Sequence, residues 1–146
     1  MTPFQAKTIL VPVDFSADSA RAAHAALGLA PDLQAVHLVH VLFPLESASS
    51  GILWGEASDE NRRDAAQKKL DELIRANDLV AVRTTILIGD PGLEIADHAK
   101  RIGADLIVIP SHGYHGVKRL VLGSVAERVI RHATCSVLVL RRGDAE

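Results

Sequence analysis

Five short runs of Val, Ile and Leu, each separated from the next by a stretch of different pattern, constrain the fold of this chain most strongly. Continuous aliphatic runs of this length are typical of strands that are buried on both faces of a sheet. They predict strands at residues 7–13, 35–42, 80–88, 104–109 and 136–140. Helical spacing or helix-end signals in the stretches between them predict helices at residues 17–30, 58–77, 91–102 and 124–132.

Several of the predicted helices carry end signals. Ser16 is a suitable N-cap for the first helix, and Pro91 suits the first position of the third. Gly103 can end that third helix. Ser124, with Glu127 three residues later, predicts a capping box at the start of the fourth helix. Strands and helices therefore alternate along the chain.

This alternation predicts an α/β fold, in which an open parallel sheet has right-handed crossovers and helices on both faces. We expect one domain, residues 1–146. Ligands of such sheets bind outside the carboxyl ends of the strands, where the strand order reverses. Pro12 cannot donate to a ladder and is expected at the carboxyl tip of the first strand. Residues 43–57 lack a clear period and are expected to form a long loop.

Charge and hydropathy exclude several classes of function. The net charge of −2 comes without a basic block, so we expect no binding to nucleic acid. No apolar run approaches the roughly 20 residues that span a bilayer, so we expect no membrane association. The single cysteine, Cys135, fits a reducing compartment and is expected to be a small buried residue. Because residues 1–7 do not have the pattern of a signal peptide, we expect a cytoplasmic protein.

Residues 110–124 form the segment that is best suited to binding a ligand. Gly113 allows a close approach of the backbone to a ligand, and Gly123 precedes Ser124 at a predicted helix start. The unpaired N–H groups of a helix start suit a phosphate group. Lys118 and Arg119 could also reach phosphates, although charges in a loop commonly serve solubility. From these residues alone, a simple helix cap is the more common role of a glycine and a serine at a helix start.

Over residues 7–141, the chain resembles the universal stress protein family. The resemblance implies a five-stranded sheet of order 3-2-1-4-5, of the Rossmann-like type found in the adenine nucleotide α-hydrolases. The segments that carry the resemblance are residues 9–16, His40-Val41, residues 111–113, residues 123–129 and residues 137–139.

Nucleotide-binding members of that family share a pattern of Gly, two residues, Gly, nine residues and Gly-Ser or Gly-Thr. Gly113, Gly123 and Ser124 fit this pattern, with nine residues between the two glycines. The first glycine of the pattern falls on Pro110, where the sequence departs from it. Proline lacks an N–H group and fixes φ, so any contact that needs that amide is lost.

The resemblance also implies roles for residues at the strand ends. Asp14 would accept hydrogen bonds from ribose hydroxyls, and Val41 would meet the adenine through its backbone. The alternatives are that Asp14 caps the first helix and that Val41 is a core residue. The full set of expected nucleotide-binding residues is Pro12, Val13, Asp14, Val41, Ile109, Pro110, His112, Gly113, Gly123, Ser124 and Val125.

The histidines do not predict a metal site. His37 and His40 are three residues apart in a predicted strand, so their side chains should point to opposite faces. His112 and His115 lack a nearby cluster of cysteines or carboxylates. We expect no metal bound by the protein alone and no catalytic residue, although Mg²⁺ could arrive with ATP.

Three functions are compatible with the sequence. The leading one is a stress-response module that binds an adenine nucleotide, ATP or AMP, with at most slow hydrolysis. The second is a dimeric interaction protein that does not bind nucleotide, because of Pro110. The third and weakest is an adenylate-forming or phosphate-transferring enzyme, which would need a catalytic residue that the loop lacks.

The fifth strand is expected to mediate assembly. Members of the family pair through this strand, and here it is apolar although it should lie at an edge of the sheet. We therefore expect a two-fold homodimer. The alternative is a monomer whose edge is shielded by Arg141 and Arg142. The residues of the expected interface are Val137, Leu138, Val139 and Leu140.

Overall fold

The computed structural model describes residues 5–45, 58–111 and 122–141. Within these ranges, five strands alternate with four α-helices, and a short 3-10 helix, Leu33–Ala35, precedes the second strand. The strands are β1 (Ile9–Pro12), β2 (Val36–Leu42), β3 (Arg83–Ile88), β4 (Leu106–Pro110) and β5 (Ser136–Leu140). The helices are α1 (Ala17–Leu29), α2 (Asp59–Ala76), α3 (Pro91–Ile102) and α4 (Ser124–His132).

The strands form one parallel sheet of order β3-β2-β1-β4-β5, which confirms the predicted order. β1 pairs with β2 along its whole length, from Ile9 to Pro12. Its pairing with β4 covers Ile9 and Leu10, whose partners are Leu106 and Ile107. The two central strands therefore stop pairing before either of them reaches its carboxyl end. This is the point at which the strand order reverses.

Each face of the sheet is covered by two helices. α1 and α2 pack on one face, where the alanines of α1 allow a close approach to the strands. α3 and α4 pack on the other face, against Leu10, Val39 and Ile107. A core of aliphatic side chains and alanines follows from the scarcity of aromatic residues, which make up 3% of the chain. Leu10 and Ile107 are fully buried at the centre of the sheet.

Several strand boundaries differ from the prediction. β3 begins at Arg83 and not at residue 80, because Val80 lies in the turn that follows α2 and is 79% exposed. The Leu79 N–H group donates to the Ile74 carbonyl, which ties that turn to the end of α2. β1 and β4 each begin two residues later than expected, at Ile9 and Leu106.

The helix-end signals were partly correct. Pro91 begins α3, and Gly103 ends it in the left-handed region with φ 69°. Ser16 is the N-cap of α1, but its side chain makes no capping hydrogen bond with the described residues. The predicted capping box of α4 is wrong, because Gly123 has the extended backbone of an N-cap and Ser124 is already the first helical residue.

Within the described ranges, no helix is both long and apolar enough to cross a membrane.

Candidate functional site

A cavity of about 620 Å³ lies at the carboxyl edge of the sheet, where β1 and β4 have stopped pairing. Its volume falls within the range of roughly 300–1,000 Å³ that is typical of small-molecule sites. α3 and the first turn of α4 form one wall, and a side chain of α2 reaches the cavity from the other face of the sheet. The site of the cavity is therefore the one that the fold class predicts.

The structure brings nine of the eleven predicted site residues to this cavity. The other two, His112 and Gly113, lie outside the described residues, as do Lys118 and Arg119. The nine that line the cavity are Pro12, Val13, Asp14, Val41, Ile109, Pro110, Gly123, Ser124 and Val125.

Asp14 follows the tip of β1, and its carboxylate is held in place by the start of α1. Oδ1 accepts hydrogen bonds from the Ser16 N–H group at 3.0 Å and from the Ser19 hydroxyl at 2.9 Å. Asp14 is not the N-cap of α1, since that position belongs to Ser16. A carboxylate offers about four acceptor positions on its two oxygens, so it can accept further bonds from a ligand.

The turn after Asp14 contains an unusual backbone conformation. Phe15 has φ 66°, in the left-handed region that a bulky residue rarely adopts. Its ring lies against the His40 imidazole, with centroids 4.5 Å apart, and Lys69 Nζ lies 5.5 Å from the Phe15 ring centroid. These contacts, together with packing against the core under α1 and α2, hold Phe15 in place.

His40 lines the cavity and hydrogen bonds to the backbone at the tip of β1. Its Nδ1 lies 2.7 Å from the Val13 carbonyl oxygen. A carbonyl can only accept, so Nδ1 carries the proton. Burial lowers the pKa of His40, and Lys69 lowers it further, while the Val13 carbonyl and Asp14 act in the opposite direction. The imidazole is therefore neutral at neutral pH.

The other end of the cavity is the start of α4. Gly123 has no side chain to cap this helix, and the amides of Ser124, Val125 and Ala126 have no partner within it. The Gly123 N–H group itself donates to the Ser111 carbonyl at 2.6 Å. Among the described residues, this end therefore offers a ligand the backbone donors of the first helical turn, which carry the positive end of the helix dipole.

Pro110 is the last residue of β4 and forms part of the cavity wall. It is half-buried and lies opposite Leu140 of β5 in the register of the sheet. Pro110, the position at which the sequence departs from the family pattern, therefore lines the same cavity as the start of α4.

Sequence reasoning missed several lining residues, of which Arg62 of α2 is the only charged one in the described part of the chain. One guanidinium nitrogen donates to the Phe43 carbonyl at 2.6 Å, and another lies 3.2 Å from the Asp59 carboxylate. Charged residues in a helix usually lie at the surface, so the sequence gave no signal that the Arg62 side chain would be only 22% exposed. The lining residues that the sequence did not assign to nucleotide binding are Val39, His40, Leu42, Phe43, Arg62, Pro91, Ile95 and Ala126.

An ion pair joins the two helices of the cavity wall. Arg128 of α4 lies 2.6 Å from the carboxylate of Asp90, the N-cap of α3. A Cβ atom on Gly92 would lie 2.5 Å from the Cβ of Arg128, so the absence of a side chain allows this close packing. In the part of the chain that the structure describes, no group of three His, Cys, Asp or Glu side chains could hold a metal ion.

An open parallel sheet with its cavity at the reversal of strand order defines the doubly wound class of α/β proteins. The sequence model of the universal stress protein family matches residues 5–141. The chain belongs to the universal stress protein family.

Individual relatives agree with this assignment. The universal stress protein YxiE of Bacillus subtilis is 35% identical over 144 residues, which cover 91% of this chain and 97% of YxiE. The structure of the hypothetical protein MJ0577 is 31% identical, with a TM-score of 0.75 and coverage of 95% of this chain and 98% of that one. The universal stress protein of Archaeoglobus fulgidus in complex with dAMP is 25% identical, with a TM-score of 0.55 and coverage of 92% and 98%.

Proposed function

We propose that this protein is a cytoplasmic stress-response module that binds an adenine nucleotide, ATP or AMP, in the cavity at the carboxyl edge of the sheet. The observation that carries the proposal is the convergence of nine predicted positions on one cavity of suitable size. The solved relative in complex with dAMP gives independent support. The free thiol of Cys135 fits the reducing compartment that the proposal requires.

In the proposed complex, the parts of the nucleotide follow the order of the strands. The start of α4 lies beside β4 and would hold the phosphates, with Mg²⁺ accompanying ATP. Asp14 follows the central strand β1 and would accept the ribose hydroxyls. Val41 lies on β2, farther from α4, and would meet the adenine through its backbone. In this arrangement the nucleotide lies along the edge of the sheet.

The same geometry argues for slow hydrolysis at most. The titratable side chains among the described lining residues are Asp14, His40 and Arg62. Asp14 lies just after β1, His40 on β2 and Arg62 on α2, whereas the phosphates would lie at α4. General base catalysis needs the base within hydrogen-bonding reach of the attacking water. We therefore assign no catalytic residue.

The direct test is mass spectrometry of protein that has been purified without added nucleotide, followed by calorimetry with AMP and with ATP. Co-purified AMP or ATP, or saturable binding of either, is the expected result. The ATP titration with and without Mg²⁺ shows whether the ion contributes. A clean spectrum together with flat titrations would disprove the proposal.

Pro110 favours a second candidate, an interaction protein that does not bind nucleotide. Its ring lies in the cavity wall, and it removes an N–H group where the family pattern has glycine. If Pro110 limits binding, Pro110→Gly should bind AMP more tightly than wild type in calorimetry. Pro31→Gly, which lies outside the cavity, controls for the general effect of removing a proline. Equal affinity for Pro110→Gly and wild type would show that Pro110 is not the limiting feature.

We also propose a homodimer through β5, which lies at the edge of the sheet beside β4. Leu138 is 37% exposed there, and Val137 and Val139 are half-buried. An antiparallel copy of β5 would pair the exposed edge. In sedimentation, Leu138→Lys should be monomeric at a concentration where wild type is dimeric. Val80→Lys introduces the same charge at a remote exposed site and should remain dimeric; a monomeric wild type would rule out this interface.

A further inference from the structure

His40 occupies the point where β2 continues and β1 leaves the sheet. The register pairs Pro12 with Val39, and the Val13 N–H group donates to the Val39 carbonyl at 2.8 Å. In a parallel ladder, the hydrogen bonds between two strands alternate in direction. The next bond is therefore donated by the β2 residue two positions after Val39 and accepted by β1. Here that bond would join the Val41 N–H group to the Val13 carbonyl.

The structure replaces this bond with a side chain. Among the described residues, the partner of the Val13 carbonyl is Nδ1 of His40 at 2.7 Å, and no backbone bond from Val41 reaches it. The imidazole is half-buried and held by its contact with the Phe15 ring. Phe15, two residues after Val13, has a left-handed φ of 66°, so the extended course of the chain ends there. β1 and β2 therefore separate at Val13.

The direction of the Val41 backbone follows from the same register. Residues two apart in a strand direct their N–H and C=O groups to the same side. Since the Val39 carbonyl points toward β1, the backbone groups of Val41 point to that side too, beyond the end of β1. This is the space that the cavity occupies.

We propose that His40 is a positioning residue that keeps the Val41 N–H group available to the base of a bound nucleotide. It does so by donating a hydrogen bond to the Val13 carbonyl, which the Val41 N–H group would otherwise bind. The inference rests on the proposed function and deepens it. An N–H group can only donate, so the ligand atom that it recognises is an acceptor, such as an unprotonated ring nitrogen of a purine. His40 itself does not have to touch the ligand.

The test combines hydrogen exchange with AMP binding. His40→Phe keeps an aromatic ring beside Phe15 but cannot donate, so the Val41 N–H group is free to bond to the Val13 carbonyl. In the free protein we expect the Val41 amide to exchange at least about tenfold more slowly in this variant than in wild type, by NMR. The affinity for AMP should fall about fivefold, as expected for one hydrogen bond.

Two further variants separate positioning from a general structural effect. His40→Asn places an amide nitrogen near the position of Nδ1 and should restore both fast exchange and AMP affinity. His37→Phe alters the same strand on the opposite face and should change neither. The inference is wrong if the wild-type Val41 amide is as protected as that of Val39, or if His40→Phe leaves exchange and affinity unchanged. Absence of AMP binding in wild type would instead defeat the proposed function, while the exchange data would still report on the backbone.

Discussion

The two ends of the β1–β4 strand pair are built in opposite ways. At the amino end, Asp105 Oδ2 accepts hydrogen bonds from the Lys7 and Thr8 N–H groups at 2.8 and 3.0 Å. The Asp105 N–H group donates to the Thr8 carbonyl at 2.9 Å, which closes the gap between the strands. At the carboxyl end, pairing stops after Leu10, and Pro12 has no N–H group with which to continue it.

This difference shows that single residues, more than the strand pairing itself, decide where a parallel sheet opens. The same two strands enclose a cavity of about 620 Å³ at one end. At the other end of the sheet, a hollow of about 260 Å³ lies near Lys7 and Arg83. The carboxylates of Asp14 and Asp105 flank the two ends, so exchanging each for alanine tests the comparison directly.

The largest effect is expected from Asp14→Ala at the open end. Hydrogen bonds to a charged group contribute about 1.5–3 kcal/mol, so loss of the carboxylate should weaken AMP binding by about 2 kcal/mol, or roughly thirtyfold. Calorimetry provides the measurement. Ser19→Ala is the matched control, because it removes both hydrogen bonds between Ser19 and Asp14 but keeps the carboxylate. Similar losses of affinity in both variants would indicate that Asp14 acts only within the turn.

Asp105→Ala should have the opposite result at the closed end. It removes two exposed hydrogen bonds, and the free energy of unfolding should fall by about 1.5 kcal/mol in urea denaturation. AMP affinity should remain at the wild-type value, because Asp105 lies at the far end of β4. A parallel loss of affinity would show that the two ends of the strand pair are coupled.

A smaller effect is expected for Ser124→Ala, at the phosphate end of the cavity. Loss of one hydroxyl hydrogen bond costs about 1 kcal/mol, so affinity for AMP should fall roughly fivefold. Ser136→Ala, at the exposed start of β5, is the control and should bind as wild type does. If Ser124→Ala also binds as wild type does, the phosphates are held by backbone amides alone.

The smallest expected effect is a decrease in the free energy of unfolding in acid, which concerns the whole domain and not one end of the strand pair. Burial lowers the pKa of His37, His98 and His40, and nearby Arg83 and Arg101 lower the first two further. Below the unfolded value of 6.5 the unfolded chain binds more protons, so stability falls as the pH drops from about 6.5 toward the lowered pKa values. The urea midpoint should decrease between pH 7 and pH 5, and His98→Gln should reduce that decrease. A midpoint independent of pH would contradict the prediction.

Much of the fold could be predicted because its signals are local. Each strand is a continuous aliphatic run, and Pro91 and Gly103 mark the ends of α3 through their own backbone preferences. The boundary of α4 could not be predicted in this way. Both Gly123 and Ser124 are good N-caps, and the choice between them depends on the hydrogen bond between Gly123 and Ser111.

The residues of the candidate site also differ in whether local signals in the sequence predict their positions. Asp14 and Val41 each lie within two residues of the carboxyl end of a strand, so the polarity of a parallel sheet places them at one edge. Arg62 and Ile95 lie inside helices, and only the packing of those helices on the sheet brings them to the cavity. The role of His40 depends on the register of β1 and β2, which a pattern of apolar residues does not determine.

The pairing of β1 with β4 cannot form until the chain between them has been synthesised. Thr8 and Asp105 are 97 positions apart in the chain, yet they lie side by side in the sheet. At roughly 5–20 residues per second, a ribosome needs about 5–20 s to add the residues between them. Throughout this interval the β4 side of β1 has no partner, although Ile9, Leu10 and Val11 end as fully buried residues. The nascent chain therefore exposes this edge of an apolar strand for seconds, long enough for a chaperone to compete with folding.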